Sequence, residues 1–275
     1  MRVSSFLSFL TAVFLVSTSS AAVAQEGFLS GMERRALVTE AAQPHWATPL
    51  ITTTPVLDQS LRADFQHGTE AKNATLWNLF ASKGVKVIVA PRLEVDANFT
   101  PYLIHSNGVH NGFGDASWTV KYRLLGLDEH HGDALLTAWV SGTYPTGSYT
   151  NGAANATVTP TVGGGKGWGR FDVLSTLGAT LPVAGTATAG RSIAWNTVGQ
   201  AKLSPHWYVE VEDNASYGKG GTKDGQTTNY LTPGLISRWR NDKRRGFTLG
   251  AGMEFATSRT HTLDHNLVLS SRVHF

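Results

Sequence analysis

The stretch HNLVLSSRVHF at positions 265–275 decides how this chain is read. Side chains alternate across a strand with period two. Leu267, Leu269, Ser271, Val273 and Phe275 therefore share one face, and Asn266, Val268, Ser270, Arg272 and His274 share the other. The first face suits hydrocarbon and the second suits water. A soluble sandwich would use such a strand as well, so the decision rests on whether the alternation recurs and where the chain is sent.

It recurs throughout. Gln59, Leu61, Ala63 and Phe65 oppose Asp58, Ser60, Arg62 and Asp64, and Ala116, Trp118, Val120, Tyr122 and Leu124 oppose Asp115, Ser117, Thr119, Lys121 and Arg123. An Arg or Lys facing lipid at mid-bilayer costs roughly 2–4 kcal/mol. Lys121 and Arg123 are therefore expected to point into an enclosed interior, with the aromatic and aliphatic row outside. The same rule sorts Phe171, Val173 and Leu177 outward from Arg170 and Asp172, and Val209 and Val211 outward from Tyr208, Glu210 and Glu212. It sorts Leu231, Leu235 and Trp239 from Arg238, and Phe247, Leu249 and Phe255 from Glu254. The run over Ala134–Tyr144 is ambiguous, because Leu135 and Trp139 fall on the face opposite Leu136 and Val140.

Met1 and Arg2, the apolar run Phe6–Val16 and the small-residue site Ala22-Val23-Ala24 read as a cleaved secretory signal over residues 1–24. Phe6–Val16 is far shorter than the ~20 apolar residues of a spanning helix. No later stretch reaches that length, so insertion in a membrane falls to strands. Composition agrees: 29 glycines, 16 % charged and 10 % aromatic residues suit a barrel with glycine-rich turns and aromatic girdles. The absence of cysteine excludes disulfides and thiolate metal sites. A net charge of +3 without any nucleic-acid-binding pattern gives no reason to expect nucleic acid. Residues 25–54 read as a periplasmic segment, either a tail or a partial plug, and residues 55–275 as the barrel.

Strand number follows from parity. Single-chain bacterial barrels have an even count, and Pro91 breaks the long run 85–96, since proline donates no ladder hydrogen bond. One strand then ends near Val89 and the next starts at Arg92, for a total of about twelve, with short turns at one end and longer Gly-, Asn-, Ser- and Thr-rich loops at the other. The expected fold is an all-β, single-chain antiparallel transmembrane β-barrel.

An alternating last strand ending on Phe275 resembles the terminal signature of bacterial outer-membrane proteins, which implies recognition by the barrel-assembly machinery. The stretch GFGDASWTVKYRLLGLDEHHGDALLTAWVSGTYPTG from Gly112, with TPTVGGGKGWGRFDV from Thr159, RSIAWNT from Arg191 and LTPG from Leu231, resembles the outer-membrane family called "MetA-pathway of phenol degradation". The resemblance covers roughly Pro49–Phe275 and implies an outer-membrane channel or transporter for aromatic or other apolar compounds.

The residues themselves give a polar lumen. Its expected lining is Asp58, Arg62, Asp64, Asp115, Lys121, Arg123, Arg170, Asp172, Glu210, Glu212, Arg238, Glu254 and Arg272. These groups either line a constriction that selects solutes or pair with one another to hold the interior together. Apolar lumen positions are few: Leu135, Trp139, Tyr208 and Tyr230. His130-His131 reads as a solvated turn rather than a metal site, Gly163–Gly169 as a turn rather than a phosphate loop, and Lys243-Arg244-Arg245 as a charged turn. No spacing marks a nucleophile with its base, so no enzyme, cofactor or metal is expected. The function expected is passive passage of small solutes across the outer membrane, with lipid, lipopolysaccharide and the solute as partners. A structural or adhesive barrel and a barrel hydrolase are the alternatives.

Overall fold

The structure, a computed structural model, describes residue 27, residues 30–241 and residues 244–275. The expected signal over 1–24 and Lys243 lie outside the described residues.

Period-two segments pair in chain order with their neighbours. β1 (Ser60–Glu70) is followed by β2 (Thr75–Phe80) and β3 (Gly84–Ala90), which are two halves of one stave. The halves are separated by a bulge in which Phe80, Ala81 and Ser82 all take positive φ. The next stave is β4 (Leu93–Asn98) with β5 (Tyr102–His105), and the one after is β6 (Gly112–Phe113) with β7 (Ala116–Leu127). Single strands complete the wall: β8 (Ala134–Tyr144), β9 (Thr157–Trp168), β10 (Phe171–Pro182), β11 (Arg191–Lys202), β12 (Trp207–Lys219), β13 (Thr227–Arg240), β14 (Gly246–Ala256) and β15 (Leu263–His274). β15 pairs back onto β1, with Ser60 opposite His274, so the sheet closes as a barrel of twelve antiparallel staves. Closure removes the free edge that a membrane would not tolerate.

The split at Pro91 is where the sequence places it: β3 ends at Ala90, β4 begins at Leu93, and Arg92 takes φ 70° in the turn. Proline is nevertheless not banned from the wall. Pro160 pairs with Val140 in β8, while the β9–β10 ladder lapses between Thr161 and Val158. Pro233 pairs with Val211, and the β13–β14 ladder lapses between Leu231 and Gly234. Each proline keeps one neighbour and gives up bonds to the other.

Turns at the end holding Ser60 and His274, called here the terminal end, are short: 91–92, 128–133, 169–170, 203–206 and 241–245. Loops at the opposite, loop end include 145–156 and 183–190, the latter carrying a short helix, Thr186–Ala189. Gly163–Gly167 corrects the expected turn, because these glycines lie inside β9 and only 169–170 turns. Outward rows are apolar and open to the surroundings: Tyr122, Leu136, Leu177, Val211, Leu235, Leu249 and Leu269 are all exposed. Lys121 and Arg123 are 0 % and 4 % exposed and face the interior. Trp168, Phe171, Trp207, Trp239, Phe247 and Phe275 ring the outer wall at the terminal end as an aromatic girdle. Gln59 departs from its expected outward row. It is buried and donates from Nε2 to the Phe275 carbonyl at 2.9 Å.

The described part of the N-terminal segment lies against and inside the barrel, and is called here the plug. A helix over 30–41 sits at the terminal end, and residues 42–58 continue into the lumen without regular structure. Ala47, Leu50 and Leu57 are fully buried there.

Candidate functional site

An irregular segment inside a barrel leaves its backbone amides and carbonyls without ladder partners, and a buried unpaired group costs as much as a lost hydrogen bond. The lumen charges meet that demand. Arg62 donates to the Leu50 carbonyl at 2.5 Å, Arg272 to those of Thr48 and Pro49 at 2.6 and 2.7 Å, and Arg238 to those of Trp46 and His45 at 2.9 Å each. Arg123 donates to the Thr39 carbonyl at 2.6 Å and to Gln43 Oε1 at 3.0 Å. Carboxylates take the amides: Glu210 accepts from Leu50 N at 3.0 Å, and Glu212 from Ile51 N and Thr52 N at 2.8 and 2.7 Å.

Shape follows the same logic. Gly234, Gly250 and Gly252 are lumen-facing, and a Cβ at any of them would come within 2.5–2.6 Å of the Leu50 side chain. The bare backbone is the recess into which Leu50 fits, beside Tyr208, Ile236 and Val268. On β9, Gly163 leaves room for Trp139 and Gly165 for Trp46. The glycine run is therefore the floor on which two indoles lie, and Trp46 Nε1 is fixed by Asp133 at 2.9 Å.

At the terminal end the helix is tied to the turns. Glu40 pairs with Arg240 at 2.8 Å and Arg244 at 3.5 Å, and Glu33 with Arg245 at 2.6 Å. The basic turn thus serves as an anchor. His45 Nδ1 lies 2.8 Å from Glu129 in the 128–133 turn. Burial pushes the Glu129 carboxyl up, but hydrogen bonds from His45 and from backbone amides outweigh it and hold it at about 2.

Of the expected lining residues, Asp58, Arg62, Asp64, Lys121, Arg123, Asp172, Glu210, Glu212, Glu254 and Arg272 are buried inside, and Arg238 is half-buried there. Two are placed elsewhere. Asp115 stands at the loop end, accepting from Gly147 N at 2.9 Å and Ala153 N at 2.8 Å, so it orders the 145–156 loop. Arg170 is exposed in the turn between β9 and β10. Alternation fails for both because each lies just beyond the strand it was counted with. Missing from the expected set are Lys86, Glu94 and Asp96, a buried group in which Lys121 Nζ reaches Glu94 at 2.7 Å. The break at Pro91 already put Glu94 and Asp96 on the inward parity, and carrying the alternation through β4 would have found them.

Asp58, His274 and Thr248 form a hydroxyl–imidazole–carboxylate chain, with Thr248 Oγ1 2.9 Å from His274 Nε2 and His274 Nδ1 3.0 Å from Asp58. All three are buried, and the adjoining cavity of about 20 Å³ holds no more than a water. The chain links the last strand to the start of the first.

Above the tip of the plug the lumen changes character. Thr119–Ser141, Thr143–Thr157, Thr159–Thr180 and Ser216–Thr228 are hydroxyl pairs across adjacent strands, at 2.9, 2.8, 3.1 and 2.7 Å. Asn98, Asn196 and Asn214 add amides, and most of these side chains are half-buried rather than sealed. This is a polar vestibule opening at the loop end, with the exposed Thr53 at the plug tip as part of its floor.

No protein-family model and no curated protein matches the chain. Solved structures do. The COG4313 outer membrane channel from Pseudomonas putida F1 superposes with a TM-score of 0.59 at 15 % identity, over 84 % of this chain and 100 % of that one. The NanC porin superposes with a TM-score of 0.53 at 8 % identity, over 79 % of this chain and 98 % of that one. At such identities the likeness is one of architecture: this chain shares with those outer-membrane proteins the closed antiparallel transmembrane barrel.

Proposed function

We propose that the protein is a passive channel of the bacterial outer membrane for small solutes, gated by its own N-terminal segment. The observation that carries this is the way the segment is held. Apart from the apolar seats of Trp46, Leu50 and Leu57, the lumen contacts described above run from lining side chains to plug backbone, and water can take their place when the segment leaves. Support for the membrane comes from the apolar wall and aromatic girdle, and from the barrel architecture shared with an outer membrane channel and a porin. The terminal end then faces the periplasm and the loop end the exterior. Aromatic compounds as the solute are part of the proposal through the resemblance in sequence to the phenol-degradation family. Leu135 and Trp139, buried while the segment is in place, are the inward side chains that would meet them once it moves.

The test uses the chain's lack of cysteine. Thr52→Cys with Asn214→Cys, joined by a short thiol cross-linker, pins the plug tip to β12. Planar-bilayer recordings should show openings in the uncross-linked double variant, closure on cross-linking, and recovery when the linker is cleaved. Conductance unaffected by the link, or no conductance and no uptake of phenol, benzoate or sugar into liposomes, would remove the gated channel.

A further inference from the structure

The floor of the vestibule carries charge that the protein does not neutralise. Glu212 and Glu254 are buried, at 0 % and 9 % exposure, and neither forms an ion pair with a Lys, Arg or His among the described residues. Deeper in the lumen Asp64 is paired to Arg62 and Glu94 to Lys121, while Glu210 is held by Gln200 and the Leu50 amide. Glu212 is at least engaged by two plug amides, whereas Glu254 has a single hydrogen bond among the described residues, from Asn266 Nδ2 at 2.9 Å.

Among the described residues, the side chains around Glu254 also leave acceptor sites open. Asn266 sits directly across from it on β15, 2 % exposed, and having spent its amide N–H on the carboxylate it is left with Oδ1 unpartnered. Thr232, fully buried on β13, faces Glu212 on one side and lies at the level of Glu254 on the other, and its Oγ1 has no partner. Asn214 Nδ2 is committed to Thr52, and its Oδ1 too is buried without a partner. A carboxylate and two lone oxygens, those of Asn266 and Thr232, meet at one level of the barrel, and Asn214 stands one step above, paired with Tyr230. Buried acceptors without donors are uncommon, and a buried carboxylate without a counter-charge is costly.

We infer that this floor binds a protonated amine, the group that supplies both the missing charge and several N–H donors at once. An ammonium has three donors and no acceptor. It would give one to Glu254 and others to Asn266 and Thr232, with its carbon chain directed up the vestibule past the Tyr230 ring, a cation–π surface. Anions are disfavoured by both carboxylates. A neutral polyol satisfies the acceptors but leaves the charge. The site gives the proposed channel a preference for solutes that carry an ammonium group, and in that respect it rests on the channel reading.

Titration calorimetry on the detergent-solubilised full chain with 1,4-diaminobutane, against 1,4-butanediol and glucose, tests it. The diamine should bind, the two neutral probes should not, and Glu254→Gln should weaken the diamine by at least about tenfold. Asn266→Leu should weaken it less. Equal binding of diol and diamine, or binding unchanged in Glu254→Gln, overturns the inference. Reversal potentials across a KCl gradient separate it from the channel reading. Cation preference that falls in Glu254→Gln supports both. Current without cation preference overturns the amine site and leaves the channel, and diamine binding without any current leaves the site and removes the channel.

Discussion

The two halves of the lumen solve the same problem with different chemistry. Towards the terminal end, guanidinium and carboxylate groups converge on a segment of irregular backbone, and their pairs are dry: Arg62–Asp64 and Lys121–Glu94 are 2 % exposed or less. Towards the loop end, hydroxyls and amides bond to their neighbours across strands and are mostly half-buried. Charge is used where polar backbone must be held without water, because charge-assisted hydrogen bonds are about twice as strong as neutral ones. Neutral hydroxyls are used where water already solvates the wall. The difference separates a half that grips from a half that receives.

Mutations should divide along that line. Arg62→Ala leaves Asp64 buried without its partner and frees the Leu50 carbonyl, and breaking such a pair costs about 3–5 kcal/mol. Thermal unfolding in detergent should show that loss, together with proteolytic access to residues 42–58. Leu50→Ala empties the glycine recess at a cost of about 2–4 kcal/mol in segment docking. Gly234→Val attacks the same contact from the wall by overpacking, for about 1–3 kcal/mol. Both should release the plug to protease while the barrel keeps its heat-modifiable migration on gels. Retained protection in all three variants would break the comparison. Thr159→Val in the vestibule removes one half-buried hydroxyl pair, is worth about 1 kcal/mol or less, and should leave plug protection unchanged.

The smallest effect is that of acid. The Glu129 carboxyl has a folded pKa of about 2 against 4.5 for the ordinary group, so its bond to His45 adds stability above about pH 4.5. That contribution is lost as pH falls through about 2. Protease access to residues 42–58 between pH 5 and pH 2 should rise in the native chain and change less in Glu129→Gln.

Much of the wall was legible because a membrane makes errors in alternation expensive. Lys121 and Arg123 had only one tolerable direction, and Pro91 set the parity. The rule failed where that pressure lapses. Asp115 and Arg170 lie beyond the strand ends, where water solvates a charge on either side, and Gln59 lies before β1. Pro160 and Pro233 show that a strand can drop a few bonds to one neighbour if the other ladder holds. The glycines of β9 read as a turn because glycine's commonest use is conformational, whereas here it is spatial, making room for Trp46 and Trp139.

Sequence alone determined the barrel, its strand parity, the direction of its charges and the polarity of its interior, since each follows from the cost of placing a given side chain in hydrocarbon. Only the tertiary structure decided what those charges hold. Residues 42–58 carry no periodicity, and their place is fixed by contacts such as Leu50 with Gly234, Gly250 and Gly252, which bring together positions far apart in the chain. Periodicity records which solvent a side chain meets; it holds no record of which distant backbone group a buried charge will find.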